Sequence, residues 1–143
     1  NTSQIDFPEG ANEQTHQQQL SAFIAQAQTL AGEKNGSVTV AYDMRSVLGQ
    51  KDNIYFGNPL NLNASSISPV ITISQFTNPL EYGGKTVENP QENPAQAVTA
   101  LIEGIRQAAP DAQIIPILAS DAKTDAVRDA LEQAGITQVI EEP

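Results

Sequence analysis

The apolar pattern of the last third of the chain leaves few folds open. Asn93-Pro94 makes a helix start, a capping residue followed by a first-turn proline. Val98, Leu101, Ile102 and Ile105 then share one face until Ala109-Pro110 ends the run. Gln113 to Ala119 reads as a buried strand, in which Pro116 removes one backbone donor and predicts an edge or bulged position. Ser120 or Asp121 can cap a second helix, with Ala126, Val127, Ala130, Leu131 and Ala134 inward and Gly135 in the C′ position. Gln138-Val139-Ile140 closes the chain as a strand. Helix, strand, helix, strand in that order call for a sheet covered by helices.

The upstream two thirds are less regular. Residues 1 to 19 are polar and glutamine-rich apart from Ile5-Asp6-Phe7-Pro8, which reads as an extended arm. From Thr15 a helical pattern takes over, with Leu20, Phe23, Ile24, Ala27, Leu30 and Ala31 on one face and Gly32 as a stop. Ser37 to Tyr42 alternates as a half-buried strand, and Ile54-Tyr55-Phe56 forms a second, so the two predict a hairpin with a long connection. Val70-Ile71-Thr72-Ile73 predicts another strand. The prolines and the Gly83-Gly84 turn around it make residues 63–92 an irregular insertion. The expected class is α+β: a mixed β-sheet with helices packed on one face, a ββ hairpin followed by αβαβ, and an extra N-terminal amphipathic helix. One domain spans 20–143 behind an arm at 1–19.

Composition excludes several functions. The 143 residues carry 17 acids against 7 Lys and Arg, a net charge of −10, which opposes any partner held by phosphate neutralisation and so argues against nucleic acid. With no cysteine there are no disulfides, thiolate nucleophiles or Cys-ligated metals. The longest apolar stretch, Ile114 to Ala119, is far short of the roughly 20 residues of a spanning helix. There is no signal peptide, and the start on Asn1 rather than Met leads us to expect that a segment has been removed upstream.

Catalytic groups are scarce. His16 is the single histidine and stands in the polar arm without an orienting partner. Asp121, Asp125, Asp129 and Glu132 fall three and four apart on a helix, but Lys123 and Arg128 are interleaved, so the row reads as a solvent face rather than a cation site. Gly83-Gly84 lacks the lysine of a phosphate loop, and Ser120 lacks a glycine-flanked elbow and a histidine. Asn35-Gly36-Ser37 and Asn63-Ala64-Ser65 match a glycosylation acceptor pattern too short to carry weight. The inventory points to a non-enzymatic chain with no cofactor and no metal.

Three pieces, in order, resemble the periplasmic domain of the ExbD/TolR family of proton-driven energy transducers. Gln4-Ile5-Asp6-Phe7-Pro8-Glu9 is similar to the apolar-Asp-Leu-Pro motif that follows the family's membrane helix. Ser37 to Asp43, followed by Asn53 to Leu62, resembles its hairpin, and Ala97 to Pro143 its closing helix, strand, helix, strand, most closely at Asp129 to Ile136. The helix from Leu20 to Ala31 and most of 63–92 are additions to that pattern. Thr124-Asp125 stands where the family has Tyr-Gly. A rival likeness of the last 46 residues to the back half of a receiver domain fails upstream, where no acidic pair follows a first strand. The family resemblance implies the periplasmic domain of an inner-membrane, single-pass protein in biopolymer and protein transport. It further implies an ExbB/TolQ-like motor subunit and a TonB/TolA-like periplasmic protein as partners. Ile5, Asp6, Phe7 and Pro8 would form the partner-binding strip, and Gln138, Val139 and Ile140 an edge strand that pairs into a homodimer. The competing expectation is a small-ligand or cell-wall-binding module whose pocket is built by residues 63–92.

Overall fold

The structure is a computed structural model that describes residues 3–6, 40–43, 53–56 and 66–142, together with Gln17, Gln18, Leu20, Ser21, Ala22, Ile24, Ala25 and Thr29. Its elements in chain order are β1 (Ser3–Asp6), β2 (Val40–Asp43), β3 (Asn53–Phe56), β4 (Ser66–Ile71), β5 (Leu80–Tyr82) and β6 (Lys85–Val87). These are followed by α1 (Pro94–Ala108), β7 (Gln113–Ile114), β8 (Ile117–Leu118), α2 (Asp125–Gln133) and β9 (Ile140–Glu141). The main sheet runs β1-β3-β2-β4-β8-β9, with β7 also on β4. β3 is antiparallel to β1 and β2, while β2, β4, β8 and β9 run parallel to one another. The α+β class and the mixed sheet are as expected.

Both helices lie on one face for a reason of handedness. α1 links β4 to β7 and β8, α2 links β8 to β9, and both crossovers step across the sheet in the same direction, so right-handed connections put both helices on one side. There Val98, Leu101, Ile102 and Ile105 of α1 and Val127 and Leu131 of α2 meet Ile67, Ile71, Ile114 and Leu118 in one core. Ala126, expected inward, is exposed.

Residues 63–92 are not an irregular insertion where they are described. The expected strand at 70–73 lies further upstream, at Ser66–Ile71, and is the central strand, paired with β2 on one side and with β7 and β8 on the other. Ser66 and Ser68 are fully buried and their hydroxyls have no hydrogen-bond partner, so a strand buried on both faces carries serines where alternation would announce a solvent side. Beyond the short 3-10 turn at Ile73–Gln75, β5 and β6 form a hairpin against α1 that contributes Leu80, Tyr82 and Val87 to the core.

Two prolines shape the middle of the sheet. β4 keeps one register along β7 and β8, from Ser66↔Gln113 to Val70↔Ile117, which sets Pro69 opposite Pro116. The ladder survives on either side, with Ile115 N donating to Ile67 O at 2.8 Å and Ala119 N to Ile71 O at 3.0 Å. Pro116 is therefore neither at an edge nor in a bulge. It splits the expected strand 113–119 into β7 and β8, and β8 is flanked by β4 and β9. On its other side Ile140 N donates to the Pro116 carbonyl at 2.8 Å. The next bond of a parallel ladder would run from a donor at position 116 to the carbonyl of residue 138, and proline has none. That absence corrects the expected closing strand: β9 begins at Ile140, and Gln138 and Val139 precede it.

The helix ends also differ from expectation. Thr124, not Ser120 or Asp121, caps α2, its hydroxyl accepting from Val127 N at 3.3 Å, while Ser120–Ala122 forms a 3-10 turn. Gly135 closes α2 as expected, with φ of 82°, Gly135 N on Glu132 O and Ile136 N on Leu131 O, the paired bonds of a Schellman motif. Asn93 precedes α1 but does not cap it; its side chain donates back to Glu88 O and Asn89 O. Of the expected N-terminal helix, the described residues are helical, and Leu20 and Ile24 are buried in the core.

The hairpin turn is pinned from three directions. Gly83 and Gly84 have φ of 61° and 76°, the signs a type I′ turn requires. Gly83 N donates to Gln17 Oε1 at 2.8 Å, Gln17 Nε2 donates to Gly104 O at 3.2 Å, and Gln107 Nε2 donates to Gly83 O at 3.2 Å. A Cβ on Gly83 would stand 2.9 Å from Glu103 Cβ and 3.1 Å from Gly104 N, whereas one on Gly84 meets nothing within 4 Å. Gly84→Ala should cost about 1 kcal/mol, the left-handed penalty alone, and Gly83→Ala at least twice that in urea denaturation. Equal losses would contradict this docking of the turn on α1.

Candidate functional site

Open α/β sheets bind ligands beyond the carboxyl ends of their parallel strands, and in this chain that position is filled by the protein itself. Where β4 and β8 end, the Thr72 hydroxyl donates to Asp121, with its oxygen 3.0 and 3.1 Å from the two carboxylate oxygens. Ile73 N donates to Oδ1 at 3.3 Å and Ser74 N to Oδ2 at 2.9 Å. Burial pushes the Asp121 carboxyl up. Hydrogen bonds from the N–H and hydroxyl of Ser74, the hydroxyl of Thr72 and the N–H of Ile73 outweigh it, so Asp121 ionises below its ordinary range. This aspartate ties the two 3-10 turns together. Asp125, Asp129 and Glu132 of the same acidic row are exposed, as a solvent face should be.

Two grooves remain. The first, of 690 Å³, runs between β6, α1 and α2; Val87, Ala95, Ala126 and Ala130 supply its apolar lining, and Lys85, Thr86, Gln96, Thr99, Asp129 and Gln133 its polar groups. Its size suits a small ligand. Small residues at the spacing of one turn on each helix, Ala95 with Thr99 and Ala126 with Ala130, keep it open, which explains why Ala126 is not buried. Three separate segments build this groove, so no local sequence signal announces it.

The second groove, of 500 Å³, lies between α2 and β9. It is lined by Arg128, Leu131, Glu132, Gly135, Ile136, Thr137, Val139 and Glu141. Arg128 pairs with Glu141 and lies 3.4 Å from Asp125, so it joins the helix to the strand. These pairs hold the guanidinium charged, with Glu141 as the principal cause, and Arg128 in turn pulls the Glu141 carboxyl down.

The sequence-predicted binding residues fall at the two ends of the sheet. Ile5 and Asp6 are in β1, an edge strand on the chain's own β3 with Ile5 opposite Ile54 and Asp6 opposite Asn53. Phe7 and Pro8 lie outside the described residues. At the other end Ile140 is in β9 and half-buried, while Gln138 and Val139 are exposed just before it. Among the described residues no group of three or more His, Cys, Asp or Glu could hold a metal, and no helix is long and apolar enough to cross a membrane. His16 and both glycosylation patterns lie outside the described residues.

Because its folded pKa is lowered, Asp121 contributes stability that is fully present above its unfolded value and is lost as pH falls through the folded one. Asp121→Asn should cost about 1 kcal/mol at neutral pH, the worth of an exposed cap. Below about pH 4 the difference between variant and parent in acid denaturation should shrink; a gap that widens there would refute the clamp. No protein-family model, curated protein or solved structure matches the chain, so the reading of these surfaces rests on their own geometry.

Proposed function

We propose that the chain is the coupling domain of an ExbD/TolR-like energy transducer, a non-enzymatic protein that passes motor movement to a TonB/TolA-like partner by strand exchange. The observation that carries this reading is the position of β1. Ile5 and Asp6 of the strip whose sequence resembles the family motif lie in the outermost of the described strands, held through one antiparallel ladder of four residue pairs to β3. A hydrogen bond nets only about 1 kcal/mol when water replaces the partner, so a strand this short can leave β3 and pair with another sheet at nearly balanced free energy. Supporting it is the chain order, an antiparallel β2-β3 pair and later α1, β7 and β8, α2 and β9.

The test uses the absence of cysteine. Ile5→Cys with Ile54→Cys, opposite each other in the ladder, allows a single disulfide that fastens β1 to β3. In the full-length protein in its membrane, the oxidised form should lose cross-linking to the periplasmic partner and regain it on reduction. Undiminished cross-linking of the oxidised form overturns the reading. So does an upstream sequence without one apolar helix of about 20 residues carrying an acidic residue.

A second reading is favoured by the 690 Å³ groove, because Lys85, Thr86 and Val87 come from the segment expected to build a pocket. On that reading the chain is a small-ligand or cell-wall-binding module. Soluble muropeptides should then bind the locked and unlocked forms alike, and Ala126→Tyr, which fills the groove, should abolish the binding. Binding that survives Ala126→Tyr excludes the groove.

A further inference from the structure

We infer that the β9 edge and the groove beside α2 form a docking site for an extended basic peptide, which adds to the sheet as a strand and places alternate side chains in the groove. The site is separate from β1 and from the 690 Å³ groove, and it stands whether or not the chain belongs to a transducer.

The backbone supplies the first part. Ile140 N donates to Pro116 O and Glu142 N to Leu118 O, so residues 140 and 142 turn their polar groups toward β8. By the alternation of a strand, Val139 and Glu141 turn theirs away from it. β9 ends the described sheet, so these N–H and C=O groups face the side where another strand can pair. Position 143 is proline and offers no N–H, so the available ladder is short. A peptide needs side-chain contacts as well.

The groove supplies them. Leu118 is opposite Glu141, which places the Glu141 side chain on the helix side of the sheet, where Arg128 meets it. Val139, two residues before, lines the same groove with Leu131 and Ile136, and among the described residues it is the exposed large apolar side chain. A strand added to β9 would present every second side chain to this trough, the arrangement by which an edge strand beside a helix reads peptides.

Charge selects the occupant. Arg128 is committed to Glu141 and Asp125, while Glu132 lines the groove, Glu142 follows the strand, and the whole chain carries −10. An aliphatic residue on Leu131, Ile136 and Val139, with Lys or Arg two positions away facing Glu132, satisfies both surfaces. A second copy does not. Two β9 strands paired about a two-fold axis would bring Glu141 and Glu142 of both copies to one seam, where like charges oppose pairing.

The probe is an acetylated octapeptide alternating Val and Lys, titrated into the isotope-labelled 143-residue chain and followed by amide chemical shifts. Binding should be micromolar, with the largest shifts at Val139, Glu141, Leu131 and Ile136. Replacing each Lys by Glu should abolish binding, and a proline at the centre should weaken it at least tenfold by removing a ladder donor. Glu132→Lys should weaken the basic peptide about tenfold and admit the acidic one, while shifts elsewhere report that the variant is folded. The inference is overturned if shifts spread over the acidic surface without β9, if the proline peptide binds equally, or if β9 amides move with protein concentration alone, which would make a second copy the occupant.

Discussion

The pairing of β4 on both of its sides is the constraint on which the rest of the structure depends. β2 on one side and β7 with β8 on the other take up its backbone groups, and Ile67 and Ile71 become the floor on which α1 and α2 pack. A strand so placed has no solvent side. Ser66 and Ser68 are buried with unpartnered hydroxyls, a cost of about 1 kcal/mol or more each that the surrounding apolar burial must offset. Pro69 adds a missing donor at the centre of the same strand. Its missing donor falls in the ladder with β7 and β8, whereas that of Pro116 falls in the ladder with β9, so each of the two ladders loses a single bond at this level of the sheet.

What was legible in the sequence follows from how local each signal is. The apolar faces of α1 and α2 and the glycine that ends α2 depend on residues within one or two turns, and they lie where periodicity puts them. β3 is likewise nearly complete in Ile54-Tyr55-Phe56. β4 was legible only at Val70-Ile71, because burial on both faces erases alternation and its serines and proline resemble a loop. The β5-β6 hairpin escaped for a different reason: three residues a strand is too short for a pattern, although the Gly83-Gly84 pair that turns it was visible as a turn. The start of β9 could not be read from Gln138 to Ile140 at all. It is decided by an absent N–H on Pro116, more than twenty residues away in sequence.

The same distinction governs the candidate sites. Ile5 and Asp6 were singled out by a resemblance, and the topology puts them at one edge of the sheet, on the chain's own β3. Val139 and Ile140 were singled out as a closing strand and lie at the opposite edge. Of the 690 Å³ groove the sequence marked only the 63–92 side, because its lining comes from three segments that meet after folding, while the lining of the second lies within residues 128–141 and carries no motif. Asp121 was assigned to the acidic solvent face of a helix. It stands one turn before that helix, where two strand ends bring Thr72, Ile73 and Ser74 to its carboxylate.

The two edges of the sheet solve the same problem in different ways. An exposed edge invites association with any chain that can extend, and proteins blunt it with short strands, charge and proline. β9 is two residues long, Pro116 halts its ladder toward β8, and Glu141 and Glu142 bring negative charge to it. β1 has four residue pairs and a single acid, Asp6. Of the 17 acids, Glu132 lines the groove beside β9 and Glu141 and Glu142 lie in and just after the strand. An edge protected by negative charge is closed to acidic and neutral strands alike, yet it is open to a strand that brings the opposite charge. The device that prevents indiscriminate pairing is therefore also a selector, by which the β9 end of the sheet discriminates by charge.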